Sequence, residues 1–575
     1  MIAGILNPPS RFHVLAVLLL TAVVILVYGN SLRSEFVGDD YEVILENNFI
    51  KTWKNIPLIF SRKYLTPVNY RQAIESSVGS GEISYRPVVT LSYFLDYALW
   101  GFKPLGYHLT NLLLHLLTVL AVYLFFFVIS NSNFSSLFGA LLFAVHPAIC
   151  EAVLFVGYRE DLLCALLCIL SLFFYTKSSN PDNSKPRAIL WNSVSLGAFF
   201  LALLAKEMAV TFLFVIAAYE FLIFSRSRTS YSWRPAFKRL SGYAVVLLSY
   251  CLIRFVLFDN PNALLTHYVG GSFWTNALFM AEVFLKYLKW MLWPLNIPVT
   301  LNTYYPSISF SLIDPFIWAG ICVFILIVFI AIAMRKILPL CSFAFFWVII
   351  TLMPVSNLTG YLANVIASRY LYLPIIGYCL ALSIGISFLY RRSINYLYPH
   401  LWRKIFRDGA VLLILFYSTF TFIRTIALST EIGVWQEIVE GNPAHPKAYI
   451  GLAYALLSNK GEADKAVETI NKAITIAPKD PRVYYDTAIL IERIGQTKEA
   501  IKYLQSAIAL APTEPKYYNS LGILYARLRE WQEARKAWED ALRVKPNFAP
   551  AKDNLKKLTE GELLNRERKD LSGSF

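Results

Sequence analysis

Charge is scarce in this 575-residue chain. Asp, Glu, Lys and Arg make up 16% of it and hydrophobic residues 57%, where an ordinary soluble protein is about one quarter charged. With a mean hydropathy of +0.50, that shortage excludes a soluble globular protein of this length. Cysteine is limited to seven, at Cys150, Cys164, Cys168, Cys251, Cys322, Cys341 and Cys379. No disulfide framework or zinc spacing can be read from them. All lie in or beside apolar stretches, where a thiol packs as a small hydrophobe. The seven histidines are scattered too. His108 and His115 are seven residues apart, too far to share one metal without other ligands, and are expected as polar packing positions. The first apolar run, Val14–Tyr28, lacks a clear small-residue cleavage site, so it is expected to be a retained anchor rather than a cleaved signal.

Acid is scarcer than base. The net charge is +15, but the 22 basic and 17 acidic residues from Gly441 onward account for only +5 of it. The remaining +10 clusters between apolar runs, as at Lys177, Lys185 and Arg187; Arg226, Arg228, Arg234, Lys238 and Arg239; Arg335 and Lys336; and Arg391, Arg392, Arg403, Lys404 and Arg407. That distribution is the positive-inside pattern of a membrane protein. Neither a compact basic face nor a groove-reading motif is present, so no nucleic-acid partner is expected. The 15% aromatic content suits many membrane–water interfaces.

About eleven apolar runs are long enough to span or nearly so. They are Val14–Tyr28, Tyr107–Phe127, Phe134–Val145, Leu162–Tyr175, Ala188–Leu204, Met208–Phe224, Leu240–Phe258, Ile313–Met334, Ile337–Met353, Leu371–Leu389 and Ala410–Phe422. Placing the basic clusters in the cytoplasm puts the N-terminus inside and the C-terminus outside. Phe279–Trp293 then lies in the interface as an amphipathic helix, consistent with Glu282, Lys286 and Lys289; a full span there would flip the later segments. Two long outer loops result, residues 30–86 and about 259–315.

The C-terminal part has a fixed period. Pro478, Pro512 and Pro546 are 34 residues apart, as are Ala466, Ala500 and Ala534, and Ala473, Ala507 and Ala541. This is the tetratricopeptide (TPR) pattern of stacked helical hairpins. The expected division is a membrane domain at 1–430, a linker or pre-repeat helix at 431–446, three repeats with a capping helix at 447–564, and a tail at 565–575. The fold class is therefore all-α, a polytopic membrane bundle followed by an α-solenoid.

Polar residues that this topology places on the outer side are the candidates for chemistry. The first outer loop opens with Gly38-Asp39-Asp40. Adjacent carboxylates near a membrane surface are costly unless they face water, a cation or a reacting group. On spacing alone the pair reads more readily as a helix cap than as a catalytic pair. His146, Glu151, Tyr158-Arg159-Glu160-Asp161, Lys206-Glu207, Ser356-Asn357 and Ser368-Arg369-Tyr370 also fall on the outer side. Such residues can simply pair with one another at span ends. Together they imply an outward cavity with a carboxylate zone and a cationic zone. The first can activate a hydroxyl, and the second can bind a phosphate.

These blocks resemble the transmembrane O-mannosyltransferases that carry tetratricopeptide repeats, and their prokaryotic relatives. The matching pieces run in order: Gly38-Asp39-Asp40 with Asn47, Ser84-Tyr85-Arg86-Pro87, Gly106-Tyr107-His108 with Asn111 and His115, Phe143-Ala144-Val145-His146-Pro147, Glu151-Ala152-Val153, Arg159-Glu160-Asp161-Leu162-Leu163, Lys206-Glu207, Pro294-Leu295-Asn296, Pro354-Val355-Ser356-Asn357-Leu358, Arg369-Tyr370-Leu371-Tyr372-Leu373-Pro374, and Trp435 with the repeats. The resemblance implies a GT-C membrane fold and transfer of a sugar, mannose or another hexose, from a polyprenyl or dolichyl phosphate carrier on the non-cytoplasmic face. The membrane would be a bacterial or archaeal cell membrane or an endoplasmic reticulum. The acceptor would be a hydroxyl, that of a protein Ser or Thr. It makes Asp39 and Asp40 the catalytic element, without saying which is the base. Two positions depart from the family pattern. Ser368 stands where Glu is common, and Tyr158 stands where a small residue is common, which narrows the pocket.

The expected mechanism is a single inverting displacement. Asp39 or Asp40 accepts the proton, and Arg86, His146, Arg159, Asp161, Lys206, Glu207, Arg369 and Tyr370 bind substrate and carrier phosphate. No cofactor or metal site is demanded, although a divalent cation is compatible. The partners are the lipid-linked sugar, membrane lipid and an acceptor polypeptide held by the repeats. Two alternatives stand beside this: the same fold acting on a glycan or lipid acceptor, and a non-catalytic scaffold whose repeats recruit partners.

Overall fold

The structure is a computed structural model, and it describes residues 11–61, 64, 85–179, 183–225, 233–257, 271–299, 314–356, 366–393 and 398–572. Among them there is helix and no strand. The chain divides into two compact units, Met1–Thr430 and Glu431–Phe575.

In the first unit, ten helices among the described residues are long and apolar enough to cross a membrane, or eleven if one bent pair is a single span. The bent pair is Asn133–Ala144 with Pro147–Leu154, angled by 49°, at the short run expected over Phe134–Val145. The break has a local cause. Pro147 cannot continue the hydrogen-bond ladder, and the His146 Nδ1 accepts the Ala148 amide at 3.2 Å, closing a new turn. Several other helices begin on proline, at Pro87, Pro104, Pro315, Pro339 and Pro399, where its missing N–H costs nothing.

Exposed faces are apolar, as lipid contact requires. Pro315–Met334 leaves Phe316, Ile325 and Phe329 outward and buries only Ile317, Gly320 and Ala331. Gly320 sits directly against the Ala281 backbone, so a small residue lets two helices approach closely. Its neighbour, Phe273–Leu292, starts earlier than the expected Phe279 because Ser272 and Thr275 form a capping box. That helix carries a Glu282–Lys286 ion pair at 2.8 Å and is not among the span-like helices.

Pro399–Ala427 closes the unit. Thr421 donates to the Val145 carbonyl at 2.7 Å, and Thr425 donates to Asn30 at 2.9 Å. Arg424 donates to the Ile297 carbonyl at 2.6 Å and pairs with Glu151 at 3.4 Å. Five of the seven cysteines are buried, and all seven are free thiols.

The second unit begins with Glu431–Gly441 and continues as three hairpins, Pro446–Lys460 with Ala463–Ile476, Pro481–Arg493 with Thr497–Leu510, and Pro515–Arg527 with Trp531–Val544. The periodic alanines are fully enclosed, including Ala466, Ala473, Ala500, Ala507, Ala534 and Ala541. The hydroxyls of Tyr484 and Tyr518, 34 residues apart, each donate at 3.1 Å to the carbonyl of a periodic proline, Pro478 and Pro512. Tyr485 and Tyr517 stack with centroids 5.1 Å apart, in keeping with aromatics packed between helices. The last helix, Ala549–Ser572, runs past the Leu564 end expected and takes in much of the supposed tail.

Candidate functional site

The segment after the first helix turns on Gly38, whose φ of +56° lies in the left-handed region that glycine adopts freely. The chain then enters a wide turn over Tyr41–Leu45, with Asp40 at its N-cap position. Its carboxylate does not cap that turn. Instead Asp40 Oδ2 accepts the Val37 amide at 3.2 Å, and Oδ1 accepts the Gly157 amide at 2.6 Å. The helix-cap reading of the Asp-Asp pair therefore does not hold for this side chain. Asp40 is 1% exposed, whereas Asp39 is partly open.

Gly157 matters to both aspartates. A Cβ there would lie 3.3 Å from the Asp39 Cβ and 3.3 Å from the Asp40 Oδ1. Burial pushes the Asp40 carboxyl up to about 7 against the pull of amides at Gly157, Val37 and Val156, with Asp39 adding to the rise. Burial also raises Asp39. Arg369 and a hydrogen bond from Tyr158 oppose that rise, and Glu160 reinforces it. The two adjacent acids are thus held differently: one is locked to backbone, and the other faces side chains.

Arg369 enters from the turn Ser368–Leu371 that precedes the helix Tyr372–Arg392. It is 7% exposed. Its Cζ lies 3.7 Å from the Tyr158 ring centroid and 5.4 Å from that of Tyr370. Its Nε and Nη1 are buried without a hydrogen-bond partner among the described residues. Buried donors are costly when unpaired, so an acceptor reaching these two nitrogens would be favoured.

A charged network extends from there. Lys206 contacts Asp161 at 2.6 Å and Glu160 at 3.6 Å, and its Nζ lies 5.4 Å from the Tyr370 centroid. Arg86 bonds Glu160 at 3.2 Å and holds Glu207 through two nitrogens at 3.1 and 3.2 Å. Arg254 approaches Glu207 at 3.8 Å and donates to the Tyr250 hydroxyl at 2.7 Å. Of the expected site residues, Asp39, Asp40, Arg86, Asp161, Lys206, Glu207, Arg369 and Tyr370 are linked by these contacts. Glu160 and Tyr158 link them, and Arg254 joins from inside an apolar run. A lone arginine in a spanning segment was the signal that could have singled Arg254 out.

Two expected residues lie elsewhere. Arg159 is fully enclosed and its donors are taken: Asp96 at 2.6 Å, Asn111 at 2.8 Å, and Ser92 and the Tyr107 carbonyl at 3.1 Å. It also faces the Tyr93 ring at 4.9 Å. These contacts tie the helices Pro87–Trp100, Pro104–Ser130 and Arg159–Ser178 together, apart from the network around Arg369. His146 is likewise buried, with Nε2 at 3.0 Å from the Met291 carbonyl and the Tyr417 ring edge-on at 4.8 Å. Its contacts are those of the bend and not of the network around Arg369. His108 and His115 are packing residues, and His115 bonds the Tyr372 hydroxyl at 2.8 Å and the Ala144 carbonyl at 3.2 Å. The motif residues Ser84, Asn357 and Leu358, with Arg226, Arg228 and His267, lie outside the described residues. No three His, Cys, Asp or Glu side chains among the described residues converge as a metal-binding group.

Residues 432–481 and 515–548 match the tetratricopeptide repeat family. Over most of its length the chain is similar to proteins named protein O-mannosyl-transferase. It is 26% identical over 551 residues to Tmtc3 of Drosophila melanogaster, covering 83% of this chain and 56% of the fly protein. It is 25% identical over 511 residues to TMTC3 of Homo sapiens, covering 82% and 52%. The human TMTC4 is 26% identical over 503 residues, covering 79% and 65%. The chain therefore spans little more than half the length of the first two. Among solved structures, it is similar to ArnT of Cupriavidus metallidurans bound to undecaprenyl phosphate, with a TM-score of 0.38 and 15% identity over 87% of this chain and 80% of that one. The oligosaccharyltransferase of Archaeoglobus fulgidus gives a TM-score of 0.41 at 14% identity, covering 80% and 59%. The relatives by sequence are thus O-mannosyl-transferases, as the motif order implied.

Proposed function

We propose that this chain is a GT-C-type membrane glycosyltransferase that moves mannose, or another hexose, from a polyprenyl or dolichyl phosphate to a protein Ser or Thr hydroxyl. One observation supports this above the rest. A partly exposed carboxylate, Asp39, stands beside Arg369, whose buried Nε and Nη1 carry no hydrogen bond among the described residues. Similarity to proteins named protein O-mannosyl-transferase over about four fifths of the chain supports the sugar and the acceptor class.

In the proposed step Asp39 accepts the proton of the acceptor hydroxyl. The freed oxygen forms the new bond to the anomeric carbon. The bond from that carbon to the phosphate oxygen breaks, and its electron pair leaves with the lipid phosphate, which gains one negative charge. Arg369 and Lys206 stabilise that charge. Attack from the face opposite the leaving phosphate inverts the anomeric centre. Asp40 is the poorer candidate for base because backbone amides already occupy both of its oxygens; it holds the turn that presents Asp39. A divalent cation is not demanded by this step and is compatible with it; loss of transfer on chelation would show that one takes part.

The catalytic patch and the repeats lie on the non-cytoplasmic side in this reading, and the repeats hold the acceptor polypeptide. Deleting residues 443–575 should narrow the acceptor range; an unchanged range and rate would remove that role. The central test uses the full chain in lipid nanodiscs with dolichyl phosphate mannose and a Ser/Thr-rich peptide, read by mass spectrometry. Asp39→Asn should abolish transfer while thermal unfolding stays as in the wild type. Retained turnover in that variant would refute the assignment.

A further inference from the structure

Tyr158 stands between the two halves of the patch. It ends the short turn Val156–Tyr158 that delivers the Gly157 amide to Asp40, and it is 3% exposed. Its ring lies against the Arg369 guanidinium, 3.7 Å from centroid to Cζ, and Phe155 braces it edge-on at 5.4 Å. Its hydroxyl hydrogen-bonds Asp39. The charged and titratable groups facing Tyr158 are Arg369, Asp39, Glu151 and Asp40, and those facing Asp39 are Arg369, Glu160, Tyr158 and Asp40.

We propose that Tyr158 is a positioning residue that couples the base to the carrier-phosphate cation, its hydroxyl aiming Asp39 while its ring face holds Arg369. The inference rests on the glycosyltransferase reading of this site. Its physical basis is the difference between two ways of fixing a guanidinium. Hydrogen bonds consume the fork of donors, as at Arg159, where Asp96, Asn111, Ser92 and Tyr107 take the nitrogens. Stacking on an aromatic face restrains the plane and leaves the in-plane N–H groups free for an anion. Arg369 is held in the second way, and among the described residues its Nε and Nη1 are the donors left open. The phenol serves the other partner, since a hydrogen bond to a carboxylate favours its ionised form. The ring and the hydroxyl therefore have separable tasks.

The test compares Tyr158→Phe with Tyr158→Leu in the full chain. Tyr158→Phe keeps the ring, so KM for the lipid-linked sugar should stay within about twofold. Asp39 loses a bond that favours its charged form, so the acidic limb of the kcat/KM profile should move to higher pH by about half to one unit. Tyr158→Leu removes the ring and should raise that KM by roughly threefold to thirtyfold. A Tyr158→Phe profile that superimposes on the wild type, or equal KM rises in both variants, would overturn the proposal. An infrared carboxyl titration of the same nanodisc samples, with Asp39→Asn subtracted to isolate the Asp39 band, reads the coupling without turnover. The band midpoint should rise in Tyr158→Phe, and an unmoved midpoint overturns the inference. If the wild type transfers no sugar, the glycosyltransferase reading fails, and the infrared result still decides whether Tyr158 holds Asp39.

Discussion

Replacing Gly157 with alanine adds one methyl group at the point where both aspartates are held. The new Cβ would stand 3.3 Å from the Asp39 Cβ and from the Asp40 Oδ1, and 3.6 Å from the Asp39 carbonyl carbon. Two of these contacts are tighter than ordinary van der Waals separation, so a neighbour must give by a few tenths of an ångström. The atom with least freedom is Asp40 Oδ1, which accepts the Gly157 amide at 2.6 Å. Relief therefore stretches that hydrogen bond or displaces Asp39. Overpacking of this kind costs about 1–3 kcal/mol, and a sub-ångström shift of a reacting group lowers rate by about tenfold. Gly197 supplies the control: a Cβ there meets nothing within 4 Å, and alanine in a helix is favoured over glycine by about 1 kcal/mol. Gly157→Ala should lower both melting temperature and transfer rate, and Gly197→Ala should lower neither. If the two variants behave alike in thermal unfolding and turnover, the account of how the aspartates are clamped is wrong.

Further outcomes follow from the same geometry. Folded Asp40 keeps its proton up to about pH 7, whereas the unfolded chain releases it near the ordinary carboxyl value of 3.8; the folded state thus binds more protons between those values. Stability should fall as pH rises from about 4 to about 7 and then level, with this group contributing up to about 4 kcal/mol. Asp40→Asn should flatten that slope in melting curves, and an unchanged or opposite slope would contradict it. Arg159→Leu strands the buried Asp96 carboxylate and should cost about 3–5 kcal/mol without raising KM for the carrier in the folded fraction. Arg369→Lys loses the stacked fork and should raise that KM about tenfold at unchanged melting temperature. Ala500→Leu overfills a fully enclosed position and should sensitise residues 431–575 to proteolysis, with a cost of about 1–3 kcal/mol.

The spans were legible because a run of apolar residues has few other uses, and the repeats because a 34-residue period has almost none. The patch was legible only as a set of charges on one side. Asp39, Lys206 and Arg369 could be grouped by topology, but the choice between Asp39 and Asp40 depended on which carboxylate meets backbone amides from Gly157, more than a hundred residues away. Arg159 was grouped with the patch for a related reason. Its sequence neighbours Glu160 and Asp161 belong to the patch, yet one residue along a helix turns the side chain by about 100°, toward Asp96 and Asn111. His146 could not be separated from the patch in the sequence, because a histidine beside a proline at a span end looks the same whether it meets substrate or closes a bend.

The helix Pro399–Ala427 has a consequence for how the molecule comes into being. Glu151 meets Arg424 across 273 residues of chain, and Asn30 meets Thr425 across 395. At roughly 5–20 residues per second of synthesis, Glu151 enters the membrane tens of seconds before its arginine exists. Nearly all of the first unit must be tolerated by the insertion machinery before the counter-charge to Glu151 on Pro399–Ala427 arrives. Arrival of the last stave then converts a string of inserted helices into a closed structure. A ribosome stalled before residue 399 would leave a product that every earlier helix had entered correctly and that still could not close.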